Sequence, residues 1–170
     1  NILVIADARQ PVAVAGIMGG EGTEVTERTQ NILLESAYFN PVLVRRGGRA
    51  LGLSSESSYR FERGVDMEKI DLAADRAVML IRELAGGNVC QRHDVFLLRE
   101  RKLRKEIVVS RPQIEAVLGS PVTMKKMRVI LKKLDFKIKA QGSDRIAVVP
   151  PSFRQDIHRA EDIYEEVARI

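Results

Sequence analysis

The stretch IVVSRPQIEAVLGSPVTMKKMRVILKKLDFKIKAQGSDRIAVV, residues 107–149, decides the fold of the C-terminal half of the chain. Its β-branched start at 107–109 predicts a strand, and Ser110-Arg-Pro112 predicts the beginning of a helix. Gly119 ends that helix, because glycine is the preferred residue just beyond a helix C-terminus. Thr123 caps a second predicted helix, in which apolar residues recur at helical spacing.

A hairpin and a last helix complete this half of the chain. β-Rich runs at 136–140 and 146–149 flank the turn residues 142–144. A further helical pattern begins at about Arg159. The resulting order of strand, helix, helix, strand, strand and helix is that of a small winged-helix-like α+β module over residues 105–170.

Residues 1–92 predict a separate α/β unit, which makes the whole chain α+β. Asn40-Pro41 has the sequence of an N-cap followed by proline at the first helical position, so we predict a helix over about 42–51. Asp66 caps the clearest helical pattern, which the glycine pair at 86–87 ends. The predicted strands of this unit are 2–5, 12–15 and 31–39.

Composition excludes several classes of protein. The 170 residues are 45% apolar, which suffices for a folded core, and no apolar run approaches the roughly 18–20 residues of a membrane-spanning helix. A single cysteine, Cys90, excludes an internal disulfide framework and a multi-thiolate zinc site. We therefore expect a cytoplasmic protein. Because the chain starts at Asn1 rather than at methionine, we also expect it to be a segment of a longer protein.

Positive charge is concentrated in the middle of the chain. Residues 91–133 hold 12 Lys and Arg against 4 Asp and Glu, whereas the whole chain has a formal charge of +5. Within this stretch, residues 93–104 combine a short apolar run with mixed charges, so we interpret them as a linker between two domains. The basic stretch either attracts a polyanion such as nucleic acid, or is a linker followed by a solvated helix face.

Glu35 is the most unusual residue of the first unit. It lies inside the apolar run 31–39, where a carboxylate needs either an ion pair, for example with Arg45 or Arg60, or a ligand. A glycine-rich turn at 16–20 would let such a ligand approach the backbone, although its spacing is not that of a phosphate-binding loop. Both interpretations of Glu35 stay open at the level of the residues.

A serine-rich segment follows the first predicted helix. Residues 54–58 contain neither G-x-S-x-G nor S-x-x-K, and no histidine lies near them in sequence, which argues against a serine hydrolase. We interpret the next residues, 59–63, as a loop tied to the core rather than as an RNA contact.

Carboxylates are concentrated near the end of the chain. Asp162, Glu165 and Glu166 have the spacing of one helix face, and Asp156 precedes them. Oxygen ligands without thiolate or imidazole favour Mg²⁺ or Ca²⁺. The alternatives are an arginine-rich partner or an ordinary solvated acidic face.

Four strings of the sequence closely resemble the β subunits of bacterial phenylalanine–tRNA ligases. The strings are PVAVAGIMGG, ILLESAYFNPV, SSYRFERGVD and PPSFRQDIHRAEDIYEEVARI. The resemblance implies that residues 1–92 are the C-terminal part of a tRNA-editing domain. It also implies that residues 105–170 are the following winged-helix-like module, truncated at its C-terminal end.

The resemblance also implies a function for the first unit, the hydrolysis of tyrosine mischarged onto tRNA(Phe). The positions that match the editing pocket of the family are Gly16, Glu35 and Ser57, the last of which is usually alanine in the family. Glu35 would accept a hydrogen bond from the tyrosine hydroxyl, which phenylalanine lacks. We see no protein nucleophile, so a positioned water would hydrolyse the ester.

For the acidic residues, the resemblance implies a Mg²⁺ site shared with an α subunit. Its ligands would be Asp156, Asp162, Glu165 and Glu166. The whole enzyme would be an αββα heterotetramer that uses ATP to charge tRNA(Phe), and an isolated fragment would be inactive. The alternative from the residues themselves is an independent nucleic-acid-binding module that uses the basic stretch 91–133.

Overall fold

The computed structural model describes residues 2–95 and 105–170 and shows an α+β chain. The chain divides into two compact units, Asn1–Gln91 and Arg92–Ile170. Most of the linker predicted at 93–104 lies outside the described residues.

The first unit contains a small antiparallel sheet. Its strands are β1 (Val4–Ala6), β2 (Pro11–Val14) and β3 (Met18–Gly19), in the order β1-β2-β3. The glycine-rich turn joins β2 to β3, and the backbone N–H of Ile17 donates to the carbonyl of Val14 at 2.9 Å. The predicted strands at 2–5 and 12–15 are therefore present, although β1 begins two residues later than predicted and β2 one residue earlier.

The strand predicted at 31–39 is absent, which corrects the sequence prediction. Residues 31–40, all of which the structure describes, form neither helix nor strand. The apolar run reaches the surface, and Leu33 is 97% exposed. A strand requires a neighbour that satisfies its backbone N–H and C=O groups, and the described sheet ends at the two-residue β3. The segment is tied down instead by Ser36, whose hydroxyl donates to the carbonyl of Ile70 at 3.0 Å.

The first helix, α1 (Pro41–Leu51), begins where the sequence predicts. The side chain of Asn40 accepts hydrogen bonds from the backbone N–H groups of Val42 and Leu43. Gly47 and Gly48, inside α1, are buried. At Gly47 the helix lies close to the turn that follows β2. A Cβ added at Gly47 would come within 3.1 Å of Cδ1 of Ile17.

A second helix, α2 (Glu56–Phe61), occupies the serine-rich segment and corrects the predicted loop at 59–63. Ser55 caps it by accepting from the backbone N–H of Ser58 at 3.0 Å, and the Ser58 hydroxyl accepts from the N–H of Ser55 at 2.8 Å. This reciprocal capping stabilises a helix of only six residues.

The predicted long helix is α3 (Ile70–Ala85), which follows a single 3₁₀ turn, Met67–Lys69. Asp66 caps the turn, and Gly86 ends the helix, as the sequence predicts. The structure describes all sixteen residues of α3, and none of them is buried within the first unit.

The second unit has the predicted order of elements. They are β4 (Ile107–Ser110), α4 (Arg111–Leu118), α5 (Met124–Lys133), β5 (Lys137–Gln141), β6 (Arg145–Val149) and α6 (Ala160–Ala168). The sheet is antiparallel with strand order β4-β6-β5, so the last strand lies in the middle. Membership of the winged-helix class stays a prediction.

The two units differ in their cores. In the second unit, α4, α5 and α6 close one largely aliphatic core with the sheet, and Ile114, Met127, Leu131, Ile146 and Ile163 are fully buried there. Among the described residues of the first unit, the buried apolar ones are Ala15, Ile17 and Val44. No helix in the described parts of the chain is both long and apolar enough to cross a membrane.

Candidate functional site

The structure brings Gly16 and Ser57 together. The Ser57 hydroxyl donates a hydrogen bond to the carbonyl of Gly16 at 3.2 Å. Ser55 makes a similar contact with Ile17, the residue after Gly16: its hydroxyl donates to the carbonyl of Ile17 at 2.5 Å. The beginning of α2 is therefore attached to the turn between β2 and β3 by two side-chain hydrogen bonds, and two of the three predicted pocket residues are neighbours.

Gly16 has two reasons to be glycine. Its φ of +68° lies in the left-handed region, which disfavours residues with a Cβ. In addition, an added Cβ would lie 2.9 Å from Cδ2 of Phe39 and 3.1 Å from Cγ of Phe61. These two rings contact each other with centroids 5.1 Å apart. The turn, the end of the irregular segment and α2 therefore pack together at residue 16.

Glu35, the third predicted pocket residue, lies in the irregular segment. As a whole residue it is exposed, yet its carboxyl group is partly shielded from water, and this desolvation raises its pKa. It forms no ion pair with Arg45 or Arg60 among the described residues, and Arg60 pairs with Glu56 at 3.0 Å. The salt-bridge interpretation of Glu35 is therefore wrong for this structure, and its carboxylate keeps its capacity to accept hydrogen bonds.

A cleft that sequence reasoning missed lies along α1 and the end of α2. Its volume is about 210 Å³. Three arginines on its wall are exposed and form no ion pair with described residues, while the acidic lining residue, Glu62, pairs with Arg63 at 2.7 Å. The i, i+1, i+4 spacing of the arginines is the signal that could have revealed it. The lining residues are Pro41, Val42, Arg45, Arg46, Arg49 and Glu62.

Two of the four predicted metal ligands, Asp156 and Glu166, are joined by an arginine. Arg154 donates from Nε to Oδ1 of Asp156 at 2.9 Å and from Nη2 to Oδ2 at 2.6 Å. The same Nη2 atom donates to Oε1 of Glu166 at 2.7 Å. These hydrogen bonds lower the pKa of both carboxyl groups, because they favour the charged forms.

The other two predicted ligands have different surroundings. The Asp162 carboxylate accepts from the backbone N–H groups of His158 at 2.8 Å and Arg159 at 3.0 Å, which lowers its pKa and caps the start of α6. The side chain of Glu165 is 71% exposed and lies 3.9 Å from Arg169. The four carboxylates therefore do not converge.

Magnesium fits the chemistry of these residues but not their arrangement. Carboxylate oxygens are suitable ligands, yet those of Asp156, Asp162 and Glu166 already accept hydrogen bonds from protein donors. Within residues 2–95 and 105–170, no group of three or more acidic, histidine or cysteine residues is placed to hold a metal ion.

The second unit also carries a surface of positive charge, here called the basic surface. It is formed by one side of α5 and by the adjacent strand β5, with Asp135 between them in sequence. The part of the predicted basic stretch at 96–104 lies outside the described residues. The exposed lysines of the basic surface are Lys125, Lys126, Lys132, Lys133, Lys137 and Lys139.

Comparison with known families accounts for both units. Residues 1–86 match the family model of the B3/4 domain, and residues 107–170 match that of the tRNA synthetase B5 domain. The chain therefore belongs to the B3/4 domain family and continues into a B5 domain.

Particular relatives give a finer statement. The chain is 46% identical, over 100% of its length, to the phenylalanine–tRNA ligase β subunit of Chlorobaculum tepidum. It is 44% identical to that of Moorella thermoacetica and 46% identical to that of Geobacter metallireducens, over 100% and 99% of its length. The resemblance found in the sequence is thereby confirmed. The chain covers 21% of each of these relatives, about a fifth of their length.

Proposed function

We propose that this chain is a segment of the β subunit of a cytoplasmic phenylalanine–tRNA ligase. Its first unit would contribute to the hydrolysis of tyrosyl-tRNA(Phe). One observation carries the proposal: similarity to such β subunits extends over the whole chain, including both stretches that match family models, residues 1–86 and 107–170.

Glu35 is the proposed specificity residue. Its carboxylate is partly desolvated and forms no ion pair with the described residues, so it can accept a hydrogen bond from a tyrosine hydroxyl. Phenylalanine has no such hydroxyl and would leave the carboxylate without that partner. Sites that pair a substrate hydroxyl discriminate strongly against the analogue that lacks it.

Gly16 and Ser57 would border the space for the substrate. Both are small, and the hydrogen bond between them fixes the turn against α2. The contacts of Gly16 with Phe39 and Phe61 leave no room for a larger side chain at that point. We propose that this attachment holds the pocket wall in place.

Water is the proposed nucleophile. The hydroxyls of Ser55 and Ser57 donate to backbone carbonyls, and neither is paired with a base that would activate it. Water would add to the ester carbonyl, the bond from the carbonyl carbon to the ribose oxygen would break, and that oxygen would take a proton. The products are tyrosine and free tRNA(Phe).

Aminoacylation is proposed for the whole enzyme rather than for this chain. Its partners would be an α subunit and tRNA(Phe), and ATP would be its energy source. Arg45, Arg46 and Arg49 offer positive charges to the phosphates of the RNA. We assign no step to magnesium, because the carboxylates expected to hold it are engaged with protein donors.

The second candidate function is independent binding of nucleic acid by the second unit. The observation that favours it is the basic surface, whose lysines are exposed on one helix and the neighbouring strand. Such a surface attracts a phosphate backbone with little dependence on sequence.

The test of the editing proposal is deacylation of tyrosyl-tRNA(Phe) by the complete α and β subunits. We expect Glu35→Ala to slow hydrolysis by about 10- to 100-fold, since a hydrogen bond to a charged group contributes about 1.5–3 kcal/mol. Phenylalanine charging should be nearly unchanged, because the editing pocket takes no part in that reaction.

Glu27→Ala is the matched control, because Glu27 is an exposed glutamate that also lies between β3 and α1. It should hydrolyse tyrosyl-tRNA(Phe) as fast as the wild type. If Glu35→Ala and Glu27→Ala hydrolyse tyrosyl-tRNA(Phe) at equal rates, Glu35 is not the specificity residue of the pocket. No hydrolysis by the wild-type enzyme would overturn the editing function itself.

A further inference from the structure

The carboxylates of Asp156 and Glu166 share one nitrogen atom of Arg154. Nη2 lies 2.6 Å from Oδ2 of Asp156 and 2.7 Å from Oε1 of Glu166, so it bridges the two acidic side chains. Nε adds a second hydrogen bond to Asp156, which makes that contact bidentate. A bidentate pair fixes the plane of the guanidinium as well as its distance.

Burial distinguishes the Glu166 half of this bridge from a surface ion pair, whereas the Asp156 side chain is 64% exposed. The side chain of Glu166 is only 9% exposed and that of Arg154 is 23% exposed. A buried carboxylate without a cation is strongly disfavoured. Arg169 approaches Glu166 as well, but at 3.7 Å and from a side chain that is 67% exposed. Arg154 is therefore the principal positive charge that compensates Glu166.

A bridging metal ion would compete with Arg154 for the same oxygen atoms. Mg²⁺ binds carboxylate oxygens at about 2.0–2.1 Å, whereas Oδ2 of Asp156 and Oε1 of Glu166 already accept hydrogen bonds from Nη2 at 2.6 and 2.7 Å. Two cations held by the same oxygens would also repel each other. The guanidinium and the metal are therefore alternatives at these oxygens.

We propose that Arg154 is the resident cation of the Asp156–Glu166 pair, and that a divalent metal ion binds these two carboxylates only by displacing it. Arg154 is a positioning residue: it holds the loop before α6 against Glu166 in the absence of metal. This inference is independent of the editing function, because it concerns residues of the second unit alone.

The test is calorimetric titration of Mg²⁺, and of Mn²⁺ as a second probe, into the whole protein that carries this chain, without ATP. Arg154→Met removes the charge and keeps an aliphatic side chain. We expect it to bind Mg²⁺ at least tenfold more tightly than the wild type. Its melting temperature should rise with added Mg²⁺, whereas that of the wild type should hardly change over the same range.

Arg159→Met is the matched control, because it also removes an arginine charge near α6. Arg159 is 73% exposed and pairs with Asp162 at 3.3 Å rather than with Asp156 or Glu166. It should leave Mg²⁺ affinity within about twofold of the wild type. The second substitution Glu166→Gln, made in the Arg154→Met background, should abolish the gain.

Three results would overturn the proposal. One is equal Mg²⁺ affinity of the wild type and Arg154→Met. Another is an equal gain for Arg159→Met, which would indicate a general effect of charge. The third applies if Arg154→Met is unfolded without metal. Circular dichroism should then show that Mg²⁺ restores its helices, and failure to refold in tens of millimolar Mg²⁺ would overturn the proposal.

Discussion

Replacing Gly16 by alanine should destabilise the first unit by about 2–5 kcal/mol. Holding a residue with a Cβ in the left-handed region costs about 1–2 kcal/mol. Forcing an extra methyl group into a packed site costs about 1–3 kcal/mol more, and here the new Cβ would lie 2.9 Å from a ring carbon of Phe39. The assay is urea unfolding followed by circular dichroism, in which the transition of the first unit should move to lower urea.

Two further variants make this prediction specific. Gly22→Ala is the control, because a Cβ at Gly22 meets no atom within 4 Å and its φ is not positive. It should change the free energy of unfolding by less than about 0.5 kcal/mol. Phe39→Leu should recover part of the loss when combined with Gly16→Ala, since it makes room beside the new methyl group. If Gly16→Ala and Gly22→Ala unfold at the same urea concentration, the packing argument is wrong.

The remaining predictions concern charge in the second unit. Arg154 lowers the pKa of Glu166, so this pair stabilises the fold fully above the usual glutamate pKa of 4.5, and the stabilisation is lost as the pH falls through the lowered pKa of the folded protein. In thermal unfolding between pH 7 and pH 3, the melting temperature should therefore fall less with acid in Glu166→Gln than in the wild type. Identical pH profiles of the two proteins would contradict this. If the basic surface binds nucleic acid, the double variant Lys125→Gln, Lys132→Gln should reduce the slope of log affinity against log salt concentration by about two, as measured by fluorescence anisotropy. The control Lys69→Gln should leave that slope unchanged. An unaltered slope in the double variant would exclude these two lysines from the contact.

Local chemistry explains why many helix boundaries could be predicted from the sequence. The caps at Asn40 and Thr123 depend on a side chain and a backbone N–H two or three residues away. The end of α4 at Gly119 depends on one residue alone. Such signals do not require knowledge of what packs against the helix, so they are visible in the chain itself.

Features that depend on distant partners were not predictable in the same way. The apolar run 31–39 has the composition of a strand, but composition cannot show that no strand in the described parts of the chain pairs with it. Helix α2 is too short for a periodic pattern, and its cap pairs two serines instead of a serine with a glutamate. The bridge from Arg154 to Glu166 joins residues twelve positions apart, so the spacing of the carboxylates gave no sign of it.

The strand β5 lies at an edge of its sheet, where unpaired backbone groups can recruit a strand from another molecule. Lys137 and Lys139 alternate with apolar residues along this edge, and both are exposed. A second copy that approached edge to edge would bring like charges together and would have to strip water from the ammonium groups. Lys137 and Lys139, which offer a surface to a polyanion, therefore also oppose self-association through this edge of the sheet, a role that they fulfil even when nothing is bound.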